Sequence, residues 1–254
     1  MSARVASLAL FFLSTGSCHA ADTLSTTLGL DYSSGEYGTH IETTIWSLPF
    51  AVKYETGAIT FKASLPWLSV KAPAGSSLGP DGRPLDGGAG ARVTESGMGD
   101  LVTSATWAAY ENTESGVAID LTGKIKWGTA DADKGLGTGE NDISAQADIY
   151  KTLGKTAVFA TLGYKAYGDP TGIDFKNVAY GGLGFMQRLS DRSSVGLSWD
   201  YRPKVTTGGE PTNELTAFMT RKLNDTTKMQ FYAVKGLSDG SPDWGGGLTL
   251  SHAY

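Results

Sequence analysis

One cysteine, three histidines and nine prolines in 254 residues leave little material for several kinds of protein. A single cysteine rules out a disulfide framework. Beyond the first twenty residues, no stretch offers the roughly 20 consecutive apolar side chains that a helix needs to cross a bilayer. Membrane entry by a helix is therefore excluded, and only a barrel remains open to it. The net charge is −5 with both signs interspersed, so there is neither a basic footprint for nucleic acid nor an acidic tail. What is plentiful is glycine, at 34 residues, alongside 40% hydrophobic side chains. That is the composition of one ordered β domain with many turns, not of a disordered chain.

The first residues read as an export signal. Arg4 precedes Val5 to Leu13, which is apolar except for Ser7, and a small, polar run follows from Ser14 to Ala20. The pattern predicts a signal peptide over 1–20, cleaved after Ala20, with 21–254 as the mature domain. Cleavage there removes Cys18. A lipid anchor on Cys18 is the competing reading, but Thr15, Gly16 and Ser17 lack the aliphatic residue such sites prefer three positions upstream.

From Thr23 onward the side chains alternate in character with a period of two. In the clearest segment, Val117, Ile119, Leu121, Ile125 and Trp127 oppose Ala118, Asp120, Thr122, Lys124 and Lys126. Residues 143–150 and 194–202 repeat the pattern. Candidate strands fall at 23–33, 40–54, 58–70, 100–110, 117–127, 143–153, 156–167, 178–189, 194–203, 213–223, 228–236 and 244–254. The predicted fold is all-β, a closed antiparallel transmembrane β-barrel of about 12 strands with up-and-down topology.

Connection lengths carry a second, independent signal. Short ones at 55–57, 111–116, 154–155, 190–193 and 224–227 alternate with long Gly- and Asp-rich ones at 71–99, 128–142, 168–177, 204–212 and 237–243. Outer-membrane barrels follow that rule, with tight periplasmic turns and long extracellular loops. The first hairpin, near Ser34 to Gly38, is the exception. Trp67, Trp127, Tyr201 and Trp244 lie beside the long loops and Tyr54, Tyr110, Tyr150 and Tyr254 near the opposite ends, as two interfacial girdles would. Tyr110 and Tyr150 fall on the polar phase, which leaves a lumen-facing orientation open for both. Gln187 and Arg221 fall on the apolar phase, so their strand boundaries are the least defined. The last strand ends on Tyr254, the kind of terminus that the barrel assembly machinery reads.

Four segments, LPWLSVKAPAG, TESGMGDL, LTGKIKWGTADADKGLGTGEND and KGLSDGSPDWGGGL, resemble a family of proteobacterial outer-membrane proteins labelled for the meta-pathway of phenol degradation or as a transporter barrel. The resemblance spans nearly the whole mature chain. It implies an outer-membrane barrel passing small organic molecules, and it supplies no catalytic residue.

The alternation puts Asp120, Lys124, Lys126, Asp148, Lys165, Arg188, Asp200 and Arg202 on the lumen face, because a cation at the bilayer midplane costs roughly 2 to 4 kcal/mol. These eight are the expected lining of a narrow solute path. The alternative is a sealed interior in which the same charges pair across strands, since about twelve strands lie between the filled barrels and the open porins. The loop from Gly75 to Gly99 either folds inward as a constriction or reaches outward. Asp131, Asp133, Glu140 and Asp142 read as a solvated acidic loop; Leu136 stands where a calcium loop needs glycine, and no metal is expected. A lipid-active enzyme would draw on His40, with Glu42 on the same face, or His252, but no nucleophile signature accompanies them. The expectation is a pore and not an enzyme, without cofactor, whose partners are outer-membrane lipid, lipopolysaccharide, the assembly machinery and a small solute.

Overall fold

The computed structural model describes residues 22–39, 41–85 and 90–254. Thirteen strands follow one another: β1 (Thr23–Gly35), β2 (Thr43–Thr56), β3 (Ile59–Pro73), β4 (Arg92–Met98), β5 (Leu101–Asn112), β6 (Val117–Trp127), β7 (Asp142–Leu153), β8 (Thr156–Ala166), β9 (Val178–Ser190), β10 (Ser193–Arg202), β11 (Thr212–Lys222), β12 (Thr227–Gly236) and β13 (Trp244–Ala253). Every pairing is antiparallel, and β1 pairs with both β2 and β13, so the sheet closes and leaves only the short β4, among the described strands, with an unpaired side. Both β4 and β5 pair with β3, along different halves of it, and together form one interrupted stave of a twelve-stave barrel. With strands about 4.8 Å apart and tilted by about 40°, twelve staves enclose a backbone cylinder about 24 Å across.

The pattern of two explains which side faces out. Leu28, Ile143 and Leu162 are 58%, 61% and 69% exposed, as are their neighbours on the same phase around the barrel, to a lesser degree. An apolar band of that extent is a lipid-facing surface, not one for water. Trp67, Trp127, Tyr201 and Trp244 lie on this face at the long-loop end, and Tyr54 at the short-turn end. Gln187 and Arg221 stay on the outer phase close to the short turns, where Gln187 accepts a hydrogen bond from Thr156 Oγ1 at 2.5 Å. Their strands are placed as expected; the polar side chains mark where the apolar band ends.

Two expectations needed the third dimension. A register shift between Ala108 and Tyr110 inserts an extra residue into β5, so Tyr110 pairs with Ile119 and emerges 47% exposed on the outer face. Tyr150 has no such bulge beside it and points inward with Asp148. The reading of 71–99 as a single loop is corrected: residues 92–98 form β4. That strand pairs only with β3, and its segment RVTESGM lacks the two-sided alternation that marks a lipid-facing stave. The chain leaves β6 at this point, and the side chain of Asp100 accepts the Ala130 N–H at 2.9 Å where a ladder bond would otherwise run.

Inside, large side chains and glycines are matched across strands. Phe159 faces Gly184, Tyr180 faces Gly163, Phe218 faces Gly196 and Tyr232 faces Gly247. Each ring lies over the bare backbone of its partner instead of projecting across the lumen; a Cβ on Gly163 would fall within the Tyr180 ring. The packing is lopsided. Ser194, Ser198, Thr216, Phe218, Gln230 and Tyr232 are buried, whereas Ser104, Asp120, Thr122, Gln146, Asp148 and Thr161 keep accessible surface. One wall is filled and the opposite wall, β5 to β8, is lined by polar side chains that water reaches.

Candidate functional site

At the long-loop end the chain after β3 turns into the barrel. Leu78 to Asp81 and Pro84 are buried there, and 78 and 84 form an isolated bridge closing a small hairpin. Its backbone bonds are Gly79 N–H to Arg83 O at 2.7 Å and Leu85 N–H to Ser77 O at 3.0 Å, and Leu78 N–H reaches Gly135 O of the β6–β7 loop at 2.8 Å. Leu78 packs with Leu136, Ile45, Leu68 and Val70 in one apolar cluster. The segment from Gly75 therefore folds inward for the part up to Leu85; residues 86–89 lie outside the described residues.

Charges pin this plug. Asp81 Oδ1 lies 2.8 Å from Lys165 Nζ, and Oδ2 lies 2.6 Å from Arg202 Nη1. Tyr167 OH donates to the same carboxylate at 3.3 Å and accepts from Arg202 at 3.2 Å. Arg83 is paired to Glu214 and donates to Gly240 O at 3.0 Å. Lys165 also reaches Asp142 at 3.2 Å, which lies 3.6 Å from Lys126, and Lys126 pairs with Asp100 at 3.0 Å. Four acids and four bases are thus joined in or beside the mouth: Asp81, Asp100, Asp142 and Glu214 with Arg83, Lys126, Lys165 and Arg202. Buried charges are tolerable only when paired and hydrogen-bonded; every charge of this web is paired, and Asp142 Oδ2 is held by its two lysine ion pairs alone, without a hydrogen bond.

All eight predicted lumen residues lie on the inward phase, but they do different things. Lys126, Lys165 and Arg202 belong to the plug. Asp148 accepts from Gln146 at 2.7 Å and Thr161 at 2.5 Å and stands directly opposite Asp120. Lys124 lies between Ser104 and Ser144 on the accessible wall, and Asp200 accepts from Ser198 at 3.3 Å. Arg188 is exposed at the short-turn end. The acidic loop does not remain together: Asp142 is fully buried among lysines, whereas Asp131 caps its own turn by accepting the Lys134 N–H at 3.2 Å. The solvated reading is corrected for Asp142.

The sequence reading missed Asp81, Arg83, Asp100, Tyr167 and Glu214. Asp81 and Arg83 sit in a glycine- and proline-rich stretch with no periodicity, and only their partners across the barrel single them out. Of the residues weighed for an enzyme, His40 lies outside the described residues. Glu42 accepts from Ser34 Oγ at 2.6 Å and pairs with Arg92 at 3.2 Å. The Ser34 hydroxyl, and then Arg92, hold its carboxyl below the usual range. His252 Nδ1 lies 3.0 Å from Thr227 Oγ1 at the other end of the barrel. Beside the first hairpin, buried Tyr37 donates to Ser33 at 2.9 Å, and burial pushes its phenol up to about 12.

The geometry has counterparts among solved barrels. An outer-membrane channel from Pseudomonas putida F1 superposes with a TM-score of 0.69 over 96% of this chain and 100% of its own, at 15% identity. The KdgM porin gives 0.54 over 90% and 99% at 8% identity. The translocator domain of the autotransporter NalP from Neisseria meningitidis gives 0.53 over 92% and 89% at 11% identity. The fold is that of outer-membrane barrels. No family model and no curated protein matches the chain. The four segments that carry the resemblance noted above all border the plug: they supply its entry from β3, Asp100, Lys126 with Leu136 and Asp142, and the Gly240 carbonyl that holds Arg83.

Proposed function

We propose that the protein is a narrow outer-membrane pore for passive uptake of small organic solutes, with the 74–85 segment as its constriction at the extracellular mouth. The observation that carries this reading is the contrast between the two inner walls: one packed, the other an accessible polar strip of threonine, serine, lysine and aspartate running along β5 to β8. A barrel built only as a structural plug has no need to leave such a strip unfilled. The short turns and both chain ends then face the periplasm, and the apolar band sits in outer-membrane lipid with lipopolysaccharide around the loops. The strand ending at Tyr254 is the element offered to the barrel assembly machinery. Asp120, Lys124 and Asp148 line the path, and Lys126, Lys165 and Arg202 hold its constriction. The resemblance to the phenol-degradation family adds aromatic compounds as a solute class.

A sealed barrel serving as a surface or structural element is the second reading, favoured by the completeness of the ion-pair web in the mouth. Planar-bilayer recording of the purified protein separates the two. Discrete current steps are expected from the pore; their absence from protein verified as folded by heat-modifiable migration overturns it.

A further inference from the structure

Asp81 stands at the tip of a tight turn, and its carboxylate fills a receptor that the barrel wall builds from other residues. Residues 79–82 form the turn, closed by the Gly82 N–H to Gly79 O at 2.8 Å, with Gly82 at a φ of 68°. Three wall side chains converge on the carboxylate. Lys165 on β8 lies 2.8 Å from Oδ1, Arg202 at the end of β10 lies 2.6 Å from Oδ2, and the Tyr167 hydroxyl, just past β8, donates to Oδ2 at 3.3 Å. The Arg202 and Asp81 side chains are both more than nine-tenths buried. A carboxylate here meets two cations and a hydroxyl donor away from bulk water, where charge-assisted hydrogen bonds are strongest.

Each of the three donors is also held by groups other than Asp81. Lys165 reaches Asp142 at 3.2 Å and lies 4.5 Å from the centroid of the Tyr167 ring. Arg202 donates to the Tyr167 hydroxyl at 3.2 Å. The Tyr167 backbone N–H is held by Asn177 Oδ1 at 2.9 Å, and its ring packs against Phe175. The pairing of β8 with β9 and of β9 with β10 fixes the two strands that carry the cations. The receptor therefore keeps its shape when the turn lifts, and a preorganised site binds without the cost of ordering it. Its charge is then out of balance. Withdrawing the Asp81 carboxylate alone leaves three acids facing four bases in the web, and one monocarboxylate makes up the difference. Gly82 and Arg83, next to Asp81 in the chain, keep accessible surface, so solvent reaches the turn that carries it.

We propose that Lys165, Tyr167 and Arg202 form a binding site for the carboxylate of small organic acids, which Asp81 fills in the closed pore as an internal stand-in. An arriving carboxylate competes with the plug for the plug's own anchor, so the solute itself loosens the constriction. The loosening rests on the pore reading; the binding site does not. A tethered carboxylate acts at an effective concentration in the millimolar range, so the site takes a free acid at least about tenfold more tightly once Asp81 is removed.

The test uses acetate at neutral pH on the full chain folded in detergent, with acetamide as the uncharged control and chloride to hold the ionic strength. In Asp81→Ala, acetate is expected to raise the temperature at which heat-modifiable migration is lost, because a ligand that binds only the folded state stabilises it. Acetamide is expected to leave that temperature unchanged. The parent is expected to need at least about tenfold more acetate for the same rise, and the rise vanishes when Arg202→Gln is added to Asp81→Ala. No acetate-dependent rise in Asp81→Ala, or an equal rise in the combined variant, overturns the site. Planar bilayers read the competition. Exchanging chloride for acetate is expected to increase the time the parent spends in open steps, and to leave Asp81→Ala unchanged. Steps that ignore acetate in the parent overturn the displacement and leave the pore standing. If no steps appear in any sample, the pore reading fails and the thermal assay alone decides the site. Should Asp81→Ala not fold, Asp81→Asn keeps the turn and is expected to show the same rise at higher acetate; its absence there overturns the site as well.

Discussion

Replacing Asp81 with alanine removes the carboxylate that joins the plug to two strands at once. Asp81, Lys165 and Arg202 side chains are only 9%, 13% and 6% exposed, so solvent cannot take over the lost interaction. Deleting one partner of a buried pair costs about 3 to 5 kcal/mol. Lys165 keeps Asp142 at 3.2 Å and Arg202 keeps the Tyr167 hydroxyl at 3.2 Å, which argues for the lower figure. At about 1.4 kcal/mol per tenfold, a loss of about 3 kcal/mol shifts the equilibrium between inserted and released plug by about 150-fold. Arg83 still holds Glu214 and Gly240, so the segment becomes labile without being lost. Two assays read the change. Single-channel conductance is expected to rise or to become noisy with brief openings, and proteinase K added to the loop side of proteoliposomes is expected to cut within residues 75–85 far faster than in the parent. Lys165→Ala supplies the ordering test, since Asp81 then retains Arg202 and the effect is expected to be smaller. Unchanged conductance and unchanged protection of residues 75–85 in Asp81→Ala, or a larger effect from Lys165→Ala, refutes the assignment of Asp81 as the anchor.

Gly163→Ala is expected to lower the unfolding midpoint by the equivalent of about 1 to 3 kcal/mol, the usual cost of overpacking, because the new methyl meets the Tyr180 ring and disturbs its hydrogen bond to Gln146 at 3.1 Å. Adding Tyr180→Ala should restore much of that loss, and a double variant no better than the single removes the ring-over-glycine account. Leu162→Arg places a cation on the lipid face and is expected to cost about 2 to 4 kcal/mol in folding titrations into lipid; Thr122→Arg on the accessible inner wall should cost less, and the reverse order would invert the assignment of faces. Glu42 titrates below the ordinary carboxylate range because Ser34 and Arg92 favour its charged form. Its contribution is therefore present above the unfolded value and lost as pH falls through the lowered folded one. Protease sensitivity of the 36–42 hairpin should rise only in acid, and Glu42→Gln should flatten that profile.

What a single chain can announce about itself is whatever depends on near neighbours. A strand's two faces are separated by one residue, so the lipid that touches Leu121 and the interior that holds Asp120 both leave their mark within a few positions. Turn length is equally local, which is why twelve staves, their alternating short and long connections and the inward phase of eight charged residues were all legible in advance. The bulge in β5 was not: alternation continues to Ala108 and then slips, and only pairing with Ile119 reveals on which side Tyr110 emerges. The direction of the long loop was hidden for the same kind of reason. Gly75 to Leu85 has no period to read, and what draws it inward is a meeting of Asp81 with Lys165 and of Arg83 with Glu214, partners 84 and 131 residues away. The receptor around Asp81 also belongs to the tertiary structure, because Lys165 and Tyr167 lie near in the chain while Arg202 joins them only when β9 pairs with β8 and β10. Composition and alternation determined a closed barrel with a polar inside; closure, register and the pairing of distant charges decided where that inside is filled and where it is blocked.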